Sequence, residues 1–287
     1  VKPSSFAYAK TRSLDETIGL LEQHRDEARI IAGGQSLMAL LNLRLSAPKL
    51  LVDINGIAGL DGIALDGGDL KIGALVRHSA AQKSPLVARH APLLALALPH
   101  VAHPAIRNRG TVGGSIALAD PAAELPACLL ALGGAVEIAG PGGMRTVAAD
   151  DFFQGLYQTA LGPDEVLTAI RLPAAGETTR VAFAELARRH GDFALVGLAA
   201  SARAEGDRLE DLRLAFLSVA LTPVRARRAE TVLNGQRLGS LPVDEAVAAL
   251  ADDLDPDGDI HASREMKMHL AGVLLRRVAA QLERPVP

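Results

Sequence analysis

The 287-residue chain has 49% hydrophobic and 22% charged residues, the balance of a globular protein and too apolar for a disordered one. Thirty basic against 33 acidic residues give a formal charge of −3, which excludes a strong electrostatic hold on nucleic acid or on an anionic membrane. With Cys128 as the one cysteine, an internal disulfide is excluded, as is an iron–sulfur cluster or structural zinc built by this chain alone.

The length suits about two domains. Val1 to Phe6 shows no basic stretch followed by an apolar one, and no run of about 18 apolar residues occurs, so a cytoplasmic location without an integral membrane segment is expected. Leu14, Ile18 and Leu21 share one face of a predicted helix from Ser13 to His24, with Ser13 as N-cap and Glu16 three residues on. Ala28 to Ala32 reads as a short strand broken by Gly33-Gly34, and Ser36 is placed to cap a helix through Leu37, Leu40, Leu41 and Arg44. Pro48 closes that helix, Leu50 to Ile54 is a second buried strand, and a first lobe is expected to end near Gly56.

Asp-Gly and Gly-Gly turns between Gly59 and Gly73 predict a hairpin, and Ala91 to Leu98 a buried helix. Gly110, Gly113 and Gly114 fall within Ile106 to Ser115, after which Asp120-Pro121 is predicted to open a helix through Leu130 that stops at Gly133-Gly134. Ala135 to Ala139 and Met144 to Val147 form a second hairpin, and a strand from Val166 to Leu172 runs into Pro173. The small, polar stretch Pro173 to Thr178 is the linker candidate, dividing residues 1–176 from residues 177–287. Beyond it, strands at Arg180 to Ala187, Phe193 to Arg203 and Leu212 to Leu221 precede helices at Val224 to Leu233, Val243 to Leu254 and Ala262 to Leu282. Three strands followed by three helices predict an α+β layer.

Two glycine-rich loops carry the chemistry: Ala32-Gly33-Gly34-Gln35-Ser36 and Thr111-Val112-Gly113-Gly114-Ser115. Glycine lets the main chain approach an anion, and bare amides at a helix start attract one. Neither loop holds a lysine, so the pair is suited to gripping a diphosphate rather than transferring it, as in a dinucleotide cofactor. Asp53, twenty residues after Gly33 at a strand end, offers a competing Rossmann reading. Against it, the third glycine of G-x-G-x-x-G is missing and strand and helix do not go on alternating.

Other polar residues have bland readings beside functional ones. Glu124 reads by itself as a solvated carboxylate in a first helical turn. His100 and His103 lack a third metal ligand nearby, so no metal is assigned. Asp253, Asp255, Asp257 and Gly258 imitate a calcium loop, but Arg264 stands where the bidentate glutamate belongs. Cys128, in the apolar run Leu125 to Leu130, reads as a buried thiol.

Ile31 to Met38 with Pro48 to Ile54, Ile106 to Ser115 through Asp120-Pro121-Ala122-Ala123-Glu124, and Gly191-Asp192-Phe193-Ala194 together resemble the FAD-binding medium subunits of molybdenum hydroxylases, the carbon monoxide dehydrogenase and xanthine dehydrogenase FAD-subunit family. The resemblance implies a vanillyl alcohol oxidase-like (PCMH-type) FAD-binding domain in two lobes, residues 1–56 and 57–176, followed by a C-terminal domain of a three-stranded sheet with helices. It implies FAD contacts from Ile30, Ile31, Ala32, Gly33, Gly34, Gln35, Ser36 and Leu37 and from Thr111, Val112, Gly113, Gly114 and Ser115. Val101 is expected to line the flavin pocket, Glu124 to bond a polar part of the cofactor, Leu167 to pack on it, and Phe193 to cover one flavin face. As a phenylalanine opening an apolar strand, Phe193 also has a core reading. Some relatives place a lysine near Ala184 or Glu185, and here neither position has one. No side chain of this chain is expected to be catalytic. The same resemblance implies a dimer of heterotrimers, with molybdenum-pterin on a large subunit and two iron–sulfur clusters on a small one. The flavin would then pass electrons to an external acceptor such as a quinone, NAD or oxygen. A self-contained flavin oxidase or reductase that binds its own substrate is the alternative.

Overall fold

The computed structural model describes residues 2–284. The first lobe is built from β1 (Ala7–Lys10), α1 (Leu14–His24), β2 (Ala28–Ile31), α2 (Leu37–Asn42) and β3 (Leu50–Asp53). Its strands form a parallel sheet in the order β1-β3-β2. The apolar face of α1, Ile18 and Leu21, packs on Ala28, Leu50 and Val52. Ser13 caps α1 by accepting from the Glu16 amide at 3.1 Å, while Glu16 reaches back to the amide of Arg12, 2.8 Å away, instead of that of Ser13. The expected Ser36 cap on α2 is not made: its side chain forms no capping hydrogen bond.

The second lobe begins with the hairpin β4 (Ile63–Asp66) and β5 (Asp69–Gly73), turning on Gly67 and Gly68, both at positive φ. Six short helices follow: α3 (His78–Lys83), α4 (Pro85–His90), α5 (Pro92–Ala97), α6 (Pro104–Arg107), α7 (Val112–Leu118) and α8 (Glu124–Ala131). Then come β6 (Ala135–Gly140), β7 (Gly143–Ala148), α9 (Ala149–Phe152), β8 (Phe153–Gly155), β9 (Gln158–Thr159) and β10 (Val166–Pro173). The predicted helix from Asp120 starts four residues later, because the Asp120 carboxylate bonds the Ala122 amide at 2.9 Å and closes a turn ahead of α8. The lobe's sheet runs β4-β5-β10-β6-β7, with a register shift between Leu167 and Ala169 that locally re-aims β10.

The C-terminal part has four strands where three were expected: β11 (Thr179–Ala187), β12 (Ala194–Glu205), β13 (Arg208–Leu217) and the short β14 (Val224–Arg225), in that order and antiparallel. Helices α10 (Arg227–Leu233), α11 (Val243–Asp253) and α12 (Arg264–Leu282) follow. Both faces of this sheet are covered along the first part of β12, which is why residues 194–200 read as a continuous apolar run. Ala182, Leu198, Ala200 and Leu214 face the core with Leu274 and Leu275. Phe183, Ala199, Ala215 and Leu217 face the core that also holds Leu94, Leu125 and Leu129 of the preceding lobe. Asp253 accepts from the amides of Arg228 and Ala229, and Asp255 pairs with Arg264, so the calcium-like run is engaged within the chain. Among the described residues no helix is long and apolar enough to cross a membrane.

Candidate functional site

The two glycine loops meet. Gly33 lies against the backbone of Arg109 and Gly110: a Cβ on it would overlap the Arg109 carbonyl oxygen and stand 2.9 Å from the Gly110 Cα. Arg77 fastens this junction by donating to the Arg109 carbonyl and to Asn55 Oδ1 at 2.6 Å, while Asn55 Nδ2 donates to the Ala32 carbonyl at 2.8 Å.

Around the junction opens a cavity of about 680 Å³, within the range of roughly 300–1,000 Å³ usual for small-molecule sites. Ile30, Ile31, Ala32, Gly33, Gly34, Gln35, Ser36 and Leu37 line it, with Thr111, Gly113, Gly114 and Ser115, and with Val101, Glu124, Leu167 and Phe193. Val112 departs from the expectation: its side chain is fully buried in the core and does not reach the cavity. Sequence reading also passed over His78, Asp120, Tyr157 and Glu165, which line the cavity without belonging to either glycine loop.

The loops differ in what they offer an anion. Among the described residues, the amides of residues 33–36 donate to no acceptor in the chain, and Gly34 turns the loop at φ +70°. In the second loop the amides of residues 112–115 are engaged. Val112 and Gly113 donate to the carbonyls of Val76 and Ala74, each at 2.9 Å, and the Gly114 amide to Thr111 Oγ1 at 3.0 Å. The expectation that both glycine loops present bare amides is therefore corrected for residues 112–115: the second loop is held in place, and its glycines let the backbone come close. Gly113 is required there because a Cβ would stand 2.5 Å from that of Ala74.

Buried polar groups define the rest of the wall. His78 is 5% exposed, and burial pushes its imidazole down to about 4. It is thus neutral, with Nε2–H donating to the Thr111 carbonyl at 2.9 Å and Nδ1 a buried lone pair without a partner. Arg107, buried in α6, donates to the carbonyls of Val101 and Ala102 at 2.8 Å and to Gln82 Oε1 at 3.1 Å, which fixes the loop that carries Val101 to the cavity. Glu124 is 8% exposed and burial raises its carboxyl to about 7, outweighing the helix start that would favour the anion. Its solvated reading is therefore excluded. Asp53 is occupied within the first lobe by the Tyr8 hydroxyl and by the amide and Nδ2 of Asn55, which leaves no ribose-binding acid of the Rossmann type.

At the mouth, Phe193 precedes β12 and is 70% exposed, so its core reading fails. Gly191 (φ +87°) brings this loop onto the His103 ring, where a Cβ would overlap the imidazole. Cys128 is fully buried, and burial drives its thiol far up, in keeping with an inert thiol. An FAD fits what is present: four unpaired amides beside close-approach glycines for a diphosphate, and an apolar stretch through Val101 and Leu167 for a ring system.

Residues 4–175 match the family described as FAD binding domain in molybdopterin dehydrogenase, and residues 181–282 the CO dehydrogenase flavoprotein C-terminal domain. The chain is 38% identical to the nicotine 6-hydroxylase medium subunit of Paenarthrobacter nicotinovorans, over 98% of each chain. Among solved structures it is similar to a chain of the carbon monoxide dehydrogenase from Hydrogenophaga pseudoflava that lacks the Mo-pyranopterin moiety (TM-score 0.95, 37% identity, 98% of each chain). It is likewise similar to a chain of quinoline 2-oxidoreductase from Pseudomonas putida 86 (TM-score 0.93, 39% identity, 99% of this chain and 98% of that one).

Proposed function

Because this chain belongs to the family of FAD-binding medium subunits of molybdenum-dependent dehydrogenases, an oxidoreductase family, we propose that it is the electron-exit subunit of a heterotrimeric molybdenum hydroxylase. In this reading a large molybdopterin subunit oxidises substrate, and a small subunit with two iron–sulfur clusters carries the electrons to the flavin. An external acceptor then removes them. The single observation that carries the reading is the convergence of both glycine loops, Glu124, Leu167 and Phe193 on one cavity. The lone, inert Cys128 is in keeping with clusters on another polypeptide. The reading includes the PCMH-type fold in two lobes, the division near residue 176, assembly as a dimer of heterotrimers and a cytoplasmic location.

FAD, when bound, supplies the redox chemistry, accepting electrons one at a time or in pairs. The chain's own residues do the holding. The amides of Gly33, Gly34, Gln35 and Ser36 take the diphosphate, and Thr111 to Ser115 bring a second stretch of backbone against it. Val101 and Leu167 bury the ring system, Phe193 covers it from the solvent side, and Glu124 orients its polar edge.

Purification of the native complex tests this reading. It requires a yellow protein with one FAD per copy of this chain, accompanied by a cysteine-rich small subunit and a large molybdenum-containing one. A yellow chain that turns over a substrate by itself would instead favour the self-contained oxidase.

A further inference from the structure

A second cavity, of about 270 Å³, opens at the seam between the second lobe and the C-terminal part and shares no lining residue with the first. Asp150 and Phe153 line it from α9 and β8, Thr222 and Pro223 from the segment ahead of β14, Arg225 from β14 and Arg227 from the start of α10. Asp150 is the one acidic side chain on this wall, and three guanidinium groups share it. Its Oδ1 accepts from Arg225 Nη1 at 3.3 Å and from Arg227 Nη2 at 2.9 Å, and its Oδ2 from Arg213 Nη1 at 3.0 Å. Glu230 takes two further N–H groups of Arg225, at 3.0 and 2.6 Å.

Three arginines thus meet two carboxylates, and donors are left over. A guanidinium carries five N–H groups; among the described residues Arg227 uses one of them and Arg225 three. Thr222 stands on the same wall, and its hydroxyl is a further donor. The Arg225 side chain is only 12% exposed and is fixed by both carboxylates, whereas Arg227, at 66%, is free to close on a ligand.

We propose that this cavity is an oxyanion site that takes phosphate, as the free ion or as the phosphate group of a small ester, on Arg225, Arg227 and Thr222. The site is independent of whatever fills the larger cavity.

The surplus of positive charge decides the class of ligand. A cation would have to win Asp150 from three arginines, and a neutral molecule would replace water without gaining a charge-assisted bond. A tetrahedral oxyanion accepts the paired N–H groups of a guanidinium fork and a hydroxyl at the same time. Chloride brings the charge without the paired oxygens. The start of α10 adds little, because the amides of Arg228 and Ala229 already donate to Asp253. Asp150 is the competitor: it occupies N–H groups that the anion would take, and it repels the anion. Its removal should therefore loosen the seam yet strengthen the site, two effects of opposite sign.

Isothermal titration calorimetry of the full chain in phosphate-free buffer, with and without saturating FAD, tests the assignment. The probes are inorganic phosphate and glycerol 3-phosphate, at an ionic strength held constant with potassium chloride. One equivalent should bind with a dissociation constant of about 1 mM or tighter, equally with FAD present or absent. The tighter of the two probes tells the free ion from an ester as the ligand. Arg227→Gln, at an exposed position, should weaken binding about ten-fold, the loss of one charge-assisted hydrogen bond. Asp150→Asn should tighten it about three-fold, the relief of one partly exposed charge, while lowering the midpoint of thermal unfolding. A cluster that only holds the seam together would show the lower midpoint without the gain in affinity. No saturable binding to the wild type, or equal binding by wild type and Arg227→Gln, would overturn the oxyanion site, and so would an Asp150→Asn variant that binds no tighter. Binding that disappears when FAD is added would overturn it too, by placing the phosphate on the amides of the larger cavity. Should Asp150→Asn fail to fold, the comparison of wild type with Arg227→Gln decides.

Discussion

Gly33 packs backbone to backbone against Arg109, so closely that any side chain at residue 33 would overlap the Arg109 carbonyl oxygen. The contact ties the first glycine loop to the segment that leads into the second. Gly33→Val should therefore part the loops at a stability cost of roughly 1–3 kcal/mol and lower FAD affinity at least ten-fold, or about 1.4 kcal/mol. The ratio of flavin to protein absorbance measures the loss. The C-terminal part should stay resistant to trypsin, because its own core of Leu198, Leu214 and Leu274 is untouched.

Gly114→Val should do less. Its Cβ would stand 2.7 Å from Thr111 Oγ1 and displace the cap on the Gly114 amide. Loss of that cap costs about 1 kcal/mol. Thermal unfolding of the two variants side by side should rank Gly33→Val as the more damaged.

Two buried groups give the FAD-free chain opposing pH dependences. Glu124 stays protonated in the folded chain up to about 7, against 4.5 when unfolded. Between those values the folded state binds the extra proton, so this group's contribution falls by about 3 kcal/mol as pH rises. His78 stays neutral down to about 4, against 6.5 unfolded. There the unfolded state binds the extra proton, so its contribution falls by about 3 kcal/mol as pH drops from 6.5 to 4. Relative to wild type, Glu124→Gln should gain stability from pH 4.5 to 8, and His78→Gln should gain it from pH 6.5 down to 4. Urea unfolding across this range measures both, and parallel curves would contradict the burial assigned to these groups.

The local elements were legible in the sequence because their signals are local. Ser13 before an apolar stripe marks α1, Gly67-Gly68 marks a hairpin, and Gly33-Gly34 after a strand marks the first loop. Relations between distant segments were not. Nothing in the pattern around Glu185 foretells its pairing with His100, eighty-five residues earlier, nor that Asp150 gathers arginines from beyond the linker. β14 was read as helix because Val224 continues the apolar spacing of α10, and only pairing with β13 makes it a strand. The Asp120 side chain delays α8 by an internal hydrogen bond, which a Pro-based rule for helix starts does not register.

Phe193 gives a separable test of binding against folding. At 70% exposure its removal takes little from the core, so Phe193→Ala should change stability by less than about 0.5 kcal/mol. It should nonetheless brighten bound-flavin fluorescence and shift the flavin absorption bands, since an aromatic cover quenches and polarises the ring. Spectra identical to wild type would remove Phe193 from the site.

Asp150 joins the two parts of the chain: it lies on α9 and pairs with Arg213 at 3.0 Å and Arg227 at 2.9 Å, with Arg225 at 3.3 Å. The carboxylate is partly exposed, so screening limits its worth. Asp150→Ala should lower stability by about 1 kcal/mol and speed proteolysis near residues 174–178, followed by mass spectrometry of the fragments.

The most direct measurement is a crystal structure of the chain loaded with FAD. The diphosphate should lie within hydrogen-bond distance of the amides of residues 33–36, with the ring system against Val101 and Leu167. Diphosphate density away from those amides, or FAD seated outside the cavity where the two loops meet, would contradict the account.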